Sequence, residues 1–442
     1  MTTGPAVPEV GDVLTVTVGP VAHGGFCVAR REEDGLVLFV RHTLPGEIVR
    51  ATVTETGSRF VRADATEVLE ASPARVVPPC PFSGPGRCGG CDWQHASLEE
   101  QRRLKAQVVQ GQLRRLAGLV LDDVACEPVP GDVDGLRWRT RVEFAVTRDD
   151  AGERVPGLRL HRSHEVLPVT DCLIADERIA RSGVLGAPVP DGVVGVDVVA
   201  PGRGEAVVVP LGMPRAPSRD RRRGHRGGPG QPGRDHRRGR REPAPVPLGP
   251  VPEVTERVGD HEFTLSARGF WQVHPGAATT FTDQVLAWLD PQPGERALDL
   301  YAGVGLFAVP LAERVGLTGS VRAVEADREA AAAAERHLTS YPWARAVAKP
   351  TEAALADLVA AGERADVVVL DPPRTGAGRA VVEAVAALSP RAVVYVACDP
   401  AALARDVGTA REHGLELVDL RVLDAFPMTH HMECLALLRP VR

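Results

Sequence analysis

The sequence predicts an α/β protein in three parts: a small N-terminal β-barrel, a central α+β segment and a C-terminal Rossmann-like domain. Three observations predict it. At 442 residues the chain is too long for one ordinary core, so two or three domains are expected. From about residue 260, apolar runs of strand length alternate with helical segments, the pattern of a parallel sheet covered on both faces. Before residue 70 the runs are instead rich in Val and Thr and punctuated by Gly and Pro.

The first part is placed at 1–75. Its runs "DVLTVTV", "GLVLFVR" and "EIVRATVTE" have the spacing of a small barrel of the oligonucleotide-binding type, a spacing that other small β-domains share. The second part is placed at 76–265. It opens on a cysteine-rich stretch, 80–91, and a helix from about Leu98 to Ala117 with Glu99, Glu100, Arg102 and Arg103 on its polar face. Strands are expected across 136–210, including "RWRTRVEFAV" and "GLRLHRSHEVLPV". Residues 215–250 have almost no apolar side chains and many Gly and Pro, so they are expected to be disordered. The third part is placed at 266–442. Its strands are "RALDLYA", "SVRAVEA", "ADVVVLD" and "RAVVYVAC", and segments such as "REAAAAAERHLT" are the helices between them.

Composition limits the function. No run of 18 apolar residues exists, so no membrane span is expected. The N-terminus carries no basic stretch followed by an apolar one, and a cytoplasmic protein is expected. The net charge of −6 does not mark a nucleic-acid binder. The charge is uneven, however: 215–241 carries +9, leaving −15 on the rest. That stretch reads equally as a basic arm for phosphates and as an inserted loop in an arginine-biased chain, where only Lys105 and Lys349 are lysine. Eight cysteines in a cytoplasmic protein point to metal or catalysis rather than disulfides.

Five motifs carry chemistry. In "LDLYAGVGLFAVPLA", Asp299 ends a strand, and Gly303 and Gly305 turn the chain into a helix, letting backbone approach a ligand. Glu325 ends the next strand, 20 residues after Gly305, where a carboxylate can accept both hydroxyls of a ribose. The third glycine of the dinucleotide fingerprint is missing, which favours S-adenosylmethionine, a ligand without a pyrophosphate. In "VVVLDPPRTGAGR", Asp371 closes a strand and Pro372-Pro373 fixes the turn at the sheet's carboxyl edge. Amino-group methyltransferases commonly carry an aromatic residue after such a pair, and Arg374 stands there instead.

The third motif, "ACDP", puts Cys398 at that same edge. A free cysteine taken alone is more often packing than nucleophile. Its place beside three other strand-end motifs reverses that reading. Cys434, inside the apolar run "CLALLRP", is read as core. The fourth, "FPMTHHMECLALL", offers Glu433 as a base near the thiolate; by itself this motif fits a solvent-facing glutamate better. The fifth is Cys80, Cys88 and Cys91 with the distant Cys172. Four thiolates suit zinc or an iron–sulfur cluster, and sequence chemistry leaves both open.

Taken together, these motifs resemble those of bacterial RNA uracil-5-methyltransferases, the group that includes 23S ribosomal RNA enzymes with an iron–sulfur cluster, and the resemblance covers nearly the whole chain. "HGGFCVAR", "VLFVRHTLPGE" and "SPARVVPPC" are similar to the family's RNA-binding TRAM barrel. "CGGCDWQH" and "TDC" are similar to its cluster motif, which implies a 4Fe–4S cluster on Cys80, Cys88, Cys91 and Cys172, with zinc as the alternative. "GFWQVHP", "DLYAGVGLF", "VEAD", "DPPR", "CDP" and "HME" follow in family order. The resemblance implies that Gln272, Tyr301, Glu325 and Asp371 bind S-adenosylmethionine in a class I methyltransferase domain, that Cys398 is the nucleophile and that Glu433 is the base. Three features depart from the pattern: a Cys80–Cys88 spacing two residues longer than in the best-known members, His274 where many carry asparagine, and the arginine-rich insert.

The expected reaction is methylation of uridine carbon 5 through a covalent cysteine adduct. The target base must leave its stack to be reached. A thiolate needs a lowered pKa, for which Arg374 and Arg405 are the candidate cations. The expected partner is RNA, 23S ribosomal RNA before transfer RNA, and the expected state a monomer with no membrane contact. The competing readings are a non-catalytic RNA-binding protein and an amino-group methyltransferase.

Overall fold

The computed structural model describes residues 8–214 and 243–441. The arginine-rich insert expected to be disordered therefore lies outside the described residues as far as position 242.

Five strands, Val13–Val21, Cys27–Arg30, Val37–Arg41, Ile48–Thr56 and Phe60–Glu70, form a closed barrel. Alternate residues fill it: Val16 and Val18, Val49, Ala51 and Val53, Val61 and Ala63 are all buried, the two-residue period of a strand with one face inward. Closure leaves no edge strand to pair with another chain. The short second strand was not visible as a separate run. Cys27 lies in the barrel's core, where burial pushes its thiol up to about 12.

The central part is a six-stranded antiparallel sheet. In order it comprises Val246–Pro247, Val207–Gly212, Val193–Val199, Arg141–Arg148, Arg154–Arg159 and Val166–Pro168. The expected helix starts at Leu98, where the Ser97 side chain accepts from the Glu100 N–H and Glu99 and Glu100 complement the helix dipole. It is α-helical through Gln112. Its last turn, Leu113–Ala117, is a π-helix that ends on Gly118 in the left-handed region.

The C-terminal sheet has eight strands. Ala344–Ala348, Ser320–Glu325, Arg296–Leu300, Val367–Leu370 and Ala392–Ala397 are parallel, followed by the antiparallel Glu433–Pro440 and then Leu415–Asp424. The inner strands Val367–Leu370 and Ala392–Ala397 are continuous apolar runs because both faces are covered. Strand order reverses beside Arg296–Leu300, which opens a crevice at the carboxyl edge between it and Val367–Leu370.

The eighth strand is Cys126–Pro128, which pairs in parallel with Leu415–Asp424. It comes from the segment assigned above to the central part. Three residues ending in proline offer no alternation to read. The hairpin Glu253–Val258 and His261–Ser266 likewise turns Val254, Phe263 and Leu265 into the core of the C-terminal sheet. The buried ion pair of Lys105 and Asp424 binds the helix Leu98–Gln112 to this sheet, and Lys105 also donates to the Phe426 carbonyl at 3.0 Å.

Candidate active site

The turn after Arg296–Leu300 is built for close approach. Tyr301, at φ 61°, and Gly303, at φ 54°, both take the left-handed region, which a tyrosine adopts only when its surroundings fix it. Gly305, at φ 91°, lies where a Cβ would stand 3.4 Å from Ala334 on the helix Arg328–Leu338. The Glu325 carboxylate accepts from the Gly303 N–H at 2.9 Å and from the Asp327 N–H at 2.8 Å, so it is aimed by the turn it faces. Tyr301, Gly303, Glu325 and Asp327 line a cavity of about 490 Å³ together with Phe270 and Arg268. Gln272 and Asp371 are not on its wall. Gln272 is buried two residues past Phe270, and Asp371 follows the strand beside Leu300, whose carbonyl accepts from the Asp371 N–H. Beneath the turn, both carboxylate oxygens of Asp299 are buried with no hydrogen-bond partner among the described residues. Burial holds that carboxyl well above the usual range, and Asp371 and Glu325 add to the effect.

Cys398 follows the strand Ala392–Ala397, and Glu433 begins the strand antiparallel to it. Their register pairs Ala397 with Cys434, so Cys398 and Glu433 are the next opposing step. Glu433 is 5% exposed, and its Oε2 is buried without a partner among the described residues. Burial raises its carboxyl well above the carboxylate range, and Asp371 adds to this. Burial, then the charges of Glu433 and Asp371, push the Cys398 thiol up to about 12. Asp371 itself is pushed up to about 7 by burial. In the free protein Cys398 is therefore a thiol, not a ready thiolate. Arg374 is the cation that opposes these shifts at both Cys398 and Glu433. Arg405 instead turns to the Thr375 carbonyl, 3.5 Å away. Cys434 is fully buried core, as its apolar run indicated.

The loop that leads to Glu433 is held from the cysteine-rich stretch. The N–H groups of Asp92 and Trp93 both donate to the Met428 carbonyl at 3.0 Å. The Asp92 carboxylate accepts from His430, at 3.2 Å from its backbone N–H and 2.6 Å from its ring Nδ1. The Gln101 side-chain carbonyl accepts from the Met428 N–H at 2.7 Å. From the barrel, His23 reaches the carboxylate of Asp399, the residue after Cys398, at 3.0 Å. Asp399 also caps the helix Pro400–Glu412, accepting from the Ala402 N–H. Sequence reasoning missed Asp92, His430 and His23. Their positions in "CDWQH", "THHME" and "AHGGF" were the available signal, but each makes sense only once barrel, cysteine loop and sheet are together.

Cys80, Cys88, Cys91 and Cys172 line one cavity of about 360 Å³. Burial raises the Cys88, Cys91 and Cys172 thiols, and the neighbouring thiols contribute. Four cysteines around one space are a donor set that fits a thiolate-bound group. Among the described residues, however, no three His, Cys, Asp or Glu side chains converge closely enough to hold a metal ion.

Residues 257–441 match the model of the tRNA (uracil-5-)-methyltransferase family, and residues 8–66 match the TRAM domain. A 23S rRNA (uracil(1939)-C(5))-methyltransferase, RlmD, of Pseudomonas aeruginosa is 35% identical over 98% of this chain and 95% of its own length. The chain belongs to the RNA uracil-5-methyltransferase family. An uncharacterized RNA methyltransferase of Streptomyces coelicolor is 44% identical over 98% of this chain and 94% of its own. The fold is also that of a Pyrococcus abyssi tRNA (uracil-54, C5)-methyltransferase solved with S-adenosyl-L-homocysteine. The two align with a TM-score of 0.64 over 96% of this chain and all of that one, at 19% identity. This RNA uracil-5-methyltransferase is thus an S-adenosylmethionine-dependent enzyme with an RNA-binding TRAM barrel. No helix among the described residues is long and apolar enough to cross a membrane.

Proposed function

We propose that this enzyme methylates carbon 5 of one uridine in 23S ribosomal RNA, with Cys398 as nucleophile and Glu433 as base. The observation that carries the chemistry is the opposed pair itself: a cysteine and a buried, unpartnered carboxylate at the carboxyl edge beside the crevice. The Cys398 thiol gives its proton to solvent, and its sulfur bonds to carbon 6 of the extruded base as the carbon 5–carbon 6 π bond opens into an enolate. Carbon 5 then has enolate character and reacts as a carbon nucleophile. S-adenosylmethionine supplies the electrophilic methyl group that carbon 5 accepts. Glu433 takes the carbon 5 proton, the carbon 6–sulfur bond breaks, and Cys398 is regenerated. Burial in the free protein disfavours the carboxylate form that Glu433 needs as base. Arg374 is the group placed to favour both the thiolate and the carboxylate.

Tyr301 and Glu325 hold the donor in the cavity they line, and Gln272 and Asp371 complete the donor site. Cys80, Cys88, Cys91 and Cys172 would hold a 4Fe–4S cluster, which would join the stretch that carries Asp92 to the loop that carries Cys172. Asp92 in turn steadies the loop to Glu433 through His430. The choice of 23S over transfer RNA rests on the whole-chain relative at 35% identity, since the transfer RNA structure at 19% speaks for fold alone. The enzyme works in the cytoplasm as a monomer. The test is methyl transfer from labelled donor to 23S rRNA and, separately, to bulk transfer RNA, with the product nucleoside identified. Label in 5-methyluridine of 23S rRNA is expected. Label confined to transfer RNA, or to an amino group, overturns the assignment.

A further inference from the structure

The loop that carries Arg374 runs from the end of the strand Val367–Leu370 to the helix Arg379–Ala387. Within it the Gly376 N–H donates to the Pro373 carbonyl at 2.8 Å, closing a turn with Arg374 at its exposed corner. An arginine at such a corner keeps its place only if the turn does.

The turn is held by Asp406, on the helix Pro400–Glu412 that begins just after Cys398. One oxygen of this buried carboxylate, Oδ2, accepts three hydrogen bonds. They come from the Ala377 N–H at 2.8 Å, the Gly378 N–H at 3.2 Å and the Tyr395 O–H at 2.6 Å. The Tyr395 oxygen also accepts from the Ala377 N–H, at 3.0 Å. Burial, then the Asp406 charge, raises the Tyr395 phenol well above its ordinary value, so it stays a donor. A buried carboxylate is costly unless donors meet it, and here two of the three come from the loop. Tyr395 precedes Cys398 and Asp406 follows it, so the clamp is built on the two elements that flank the nucleophile.

Gly376 makes the fit close. At φ 89°, a Cβ there would stand 2.7 Å from Asp406 Oδ2 and 3.1 Å from the Ala402 Cβ. From the same helix, Arg405 reaches the Thr375 carbonyl at 3.5 Å.

We propose that Asp406 is a positioning residue for methyl transfer: with Tyr395 it clamps the loop and so holds the Arg374 guanidinium beside Cys398. The proposal rests on the reading that Cys398 is the nucleophile and Arg374 its cation. Glu433, from the antiparallel strand, and Asp371, from the neighbouring strand end, disfavour the Cys398 thiolate, and Arg374 favours it. Asp399 and its barrel partner His23 stand next to the cysteine. A displaced turn would leave Glu433 and Asp371 unopposed.

The test is the rate at which iodoacetamide, a neutral reagent, alkylates Cys398 in the free enzyme between about pH 7 and pH 9, read at the Cys398 peptide by mass spectrometry. Below the thiol pKa this rate follows the thiolate fraction. Arg374→Gln and Asp406→Ala are each expected to slow it about tenfold at every pH, the effect of about one unit in pKa. The double variant is expected to be no slower than either single one, because the clamp acts through the arginine. Asp406→Asn keeps an acceptor of the same shape and is expected to restore most of the rate. If Asp406→Ala does not fold, Gly376→Ala replaces it, since its methyl would push the loop off the carboxylate. A wild-type rate in the clamp variant, or a double variant slowed by the product of the two single effects, overturns the proposal. A wild-type rate in Arg374→Gln refutes the arginine's role and the clamp with it. Methylation of RNA by the wild-type enzyme is assayed alongside. Its absence would refute the activity, while the alkylation rates would still decide the clamp.

Discussion

Cys398 and Glu433 stand at the next opposing step of an antiparallel strand pair whose last paired residues are Ala397 and Cys434. The register of two buried strands therefore sets the nucleophile beside the base. No loop has to bring them together.

Glu433→Gln should stop the reaction after methyl transfer. Without a base the carbon 5 proton stays, elimination fails, and a protein–RNA adduct builds up. On a denaturing gel the variant is expected to show a stable shifted band. Full turnover with no band would remove Glu433 from the mechanism.

Arg374→Gln removes the cation that opposes the raised thiol of Cys398. The thiol should then ionise at still higher pH. The measurement is kcat/KM against pH. At pH 7 a loss of about ten- to a hundredfold is expected, with the alkaline rise of the profile moved upward. An unchanged profile would clear Arg374 of this role.

Asp371 titrates near 7 in the folded protein against 3.8 as a free side chain, because it is desolvated. A raised carboxyl pKa stabilises the fold fully below about 3.8. That contribution declines as pH rises and is lost as pH passes through about 7. Asp371→Asn lacks this dependence. Its melting temperature relative to wild type, without ligands, should climb between pH 4 and 7 and level off above. A flat difference would contradict the burial of that carboxyl.

Lys105→Met leaves Asp424 buried and unpaired, which costs about 3–5 kcal/mol. Denaturant unfolding of the variant should show this loss. Lys105→Met with Asp424→Leu should recover most of it, since an apolar pair of similar volume replaces the ions. Equal stability of the single variant and wild type would contradict the pairing.

How far the sequence revealed this arrangement depended on the range of each interaction. Strand-end positions were legible because apolar runs such as "RAVVYVAC" stop where the chemistry starts, and Asp299, Glu325, Asp371 and Cys398 all fall at such stops. Parallel order then puts them on one edge. The barrel was legible from its Val- and Thr-rich runs set off by Gly and Pro. What stayed hidden was long-range. Cys126–Pro128 joins a sheet almost three hundred positions away in sequence, and its three residues carry no periodic signal. The pairs Asp92–His430 and His23–Asp399 join separate domains, and local pattern says nothing about them. The thiol of Cys398 went the other way from the expectation of an activated thiolate. Burial outweighs Arg374 in the free protein, and the amount of burial is a property of the fold.

The measurement that tests the central claim most directly is methyl transfer by Cys398→Ala. With labelled S-adenosylmethionine and 23S rRNA, the variant is expected to bind RNA as wild type does and to incorporate no label into 5-methyluridine. Incorporation at the wild-type rate would contradict covalent catalysis by Cys398.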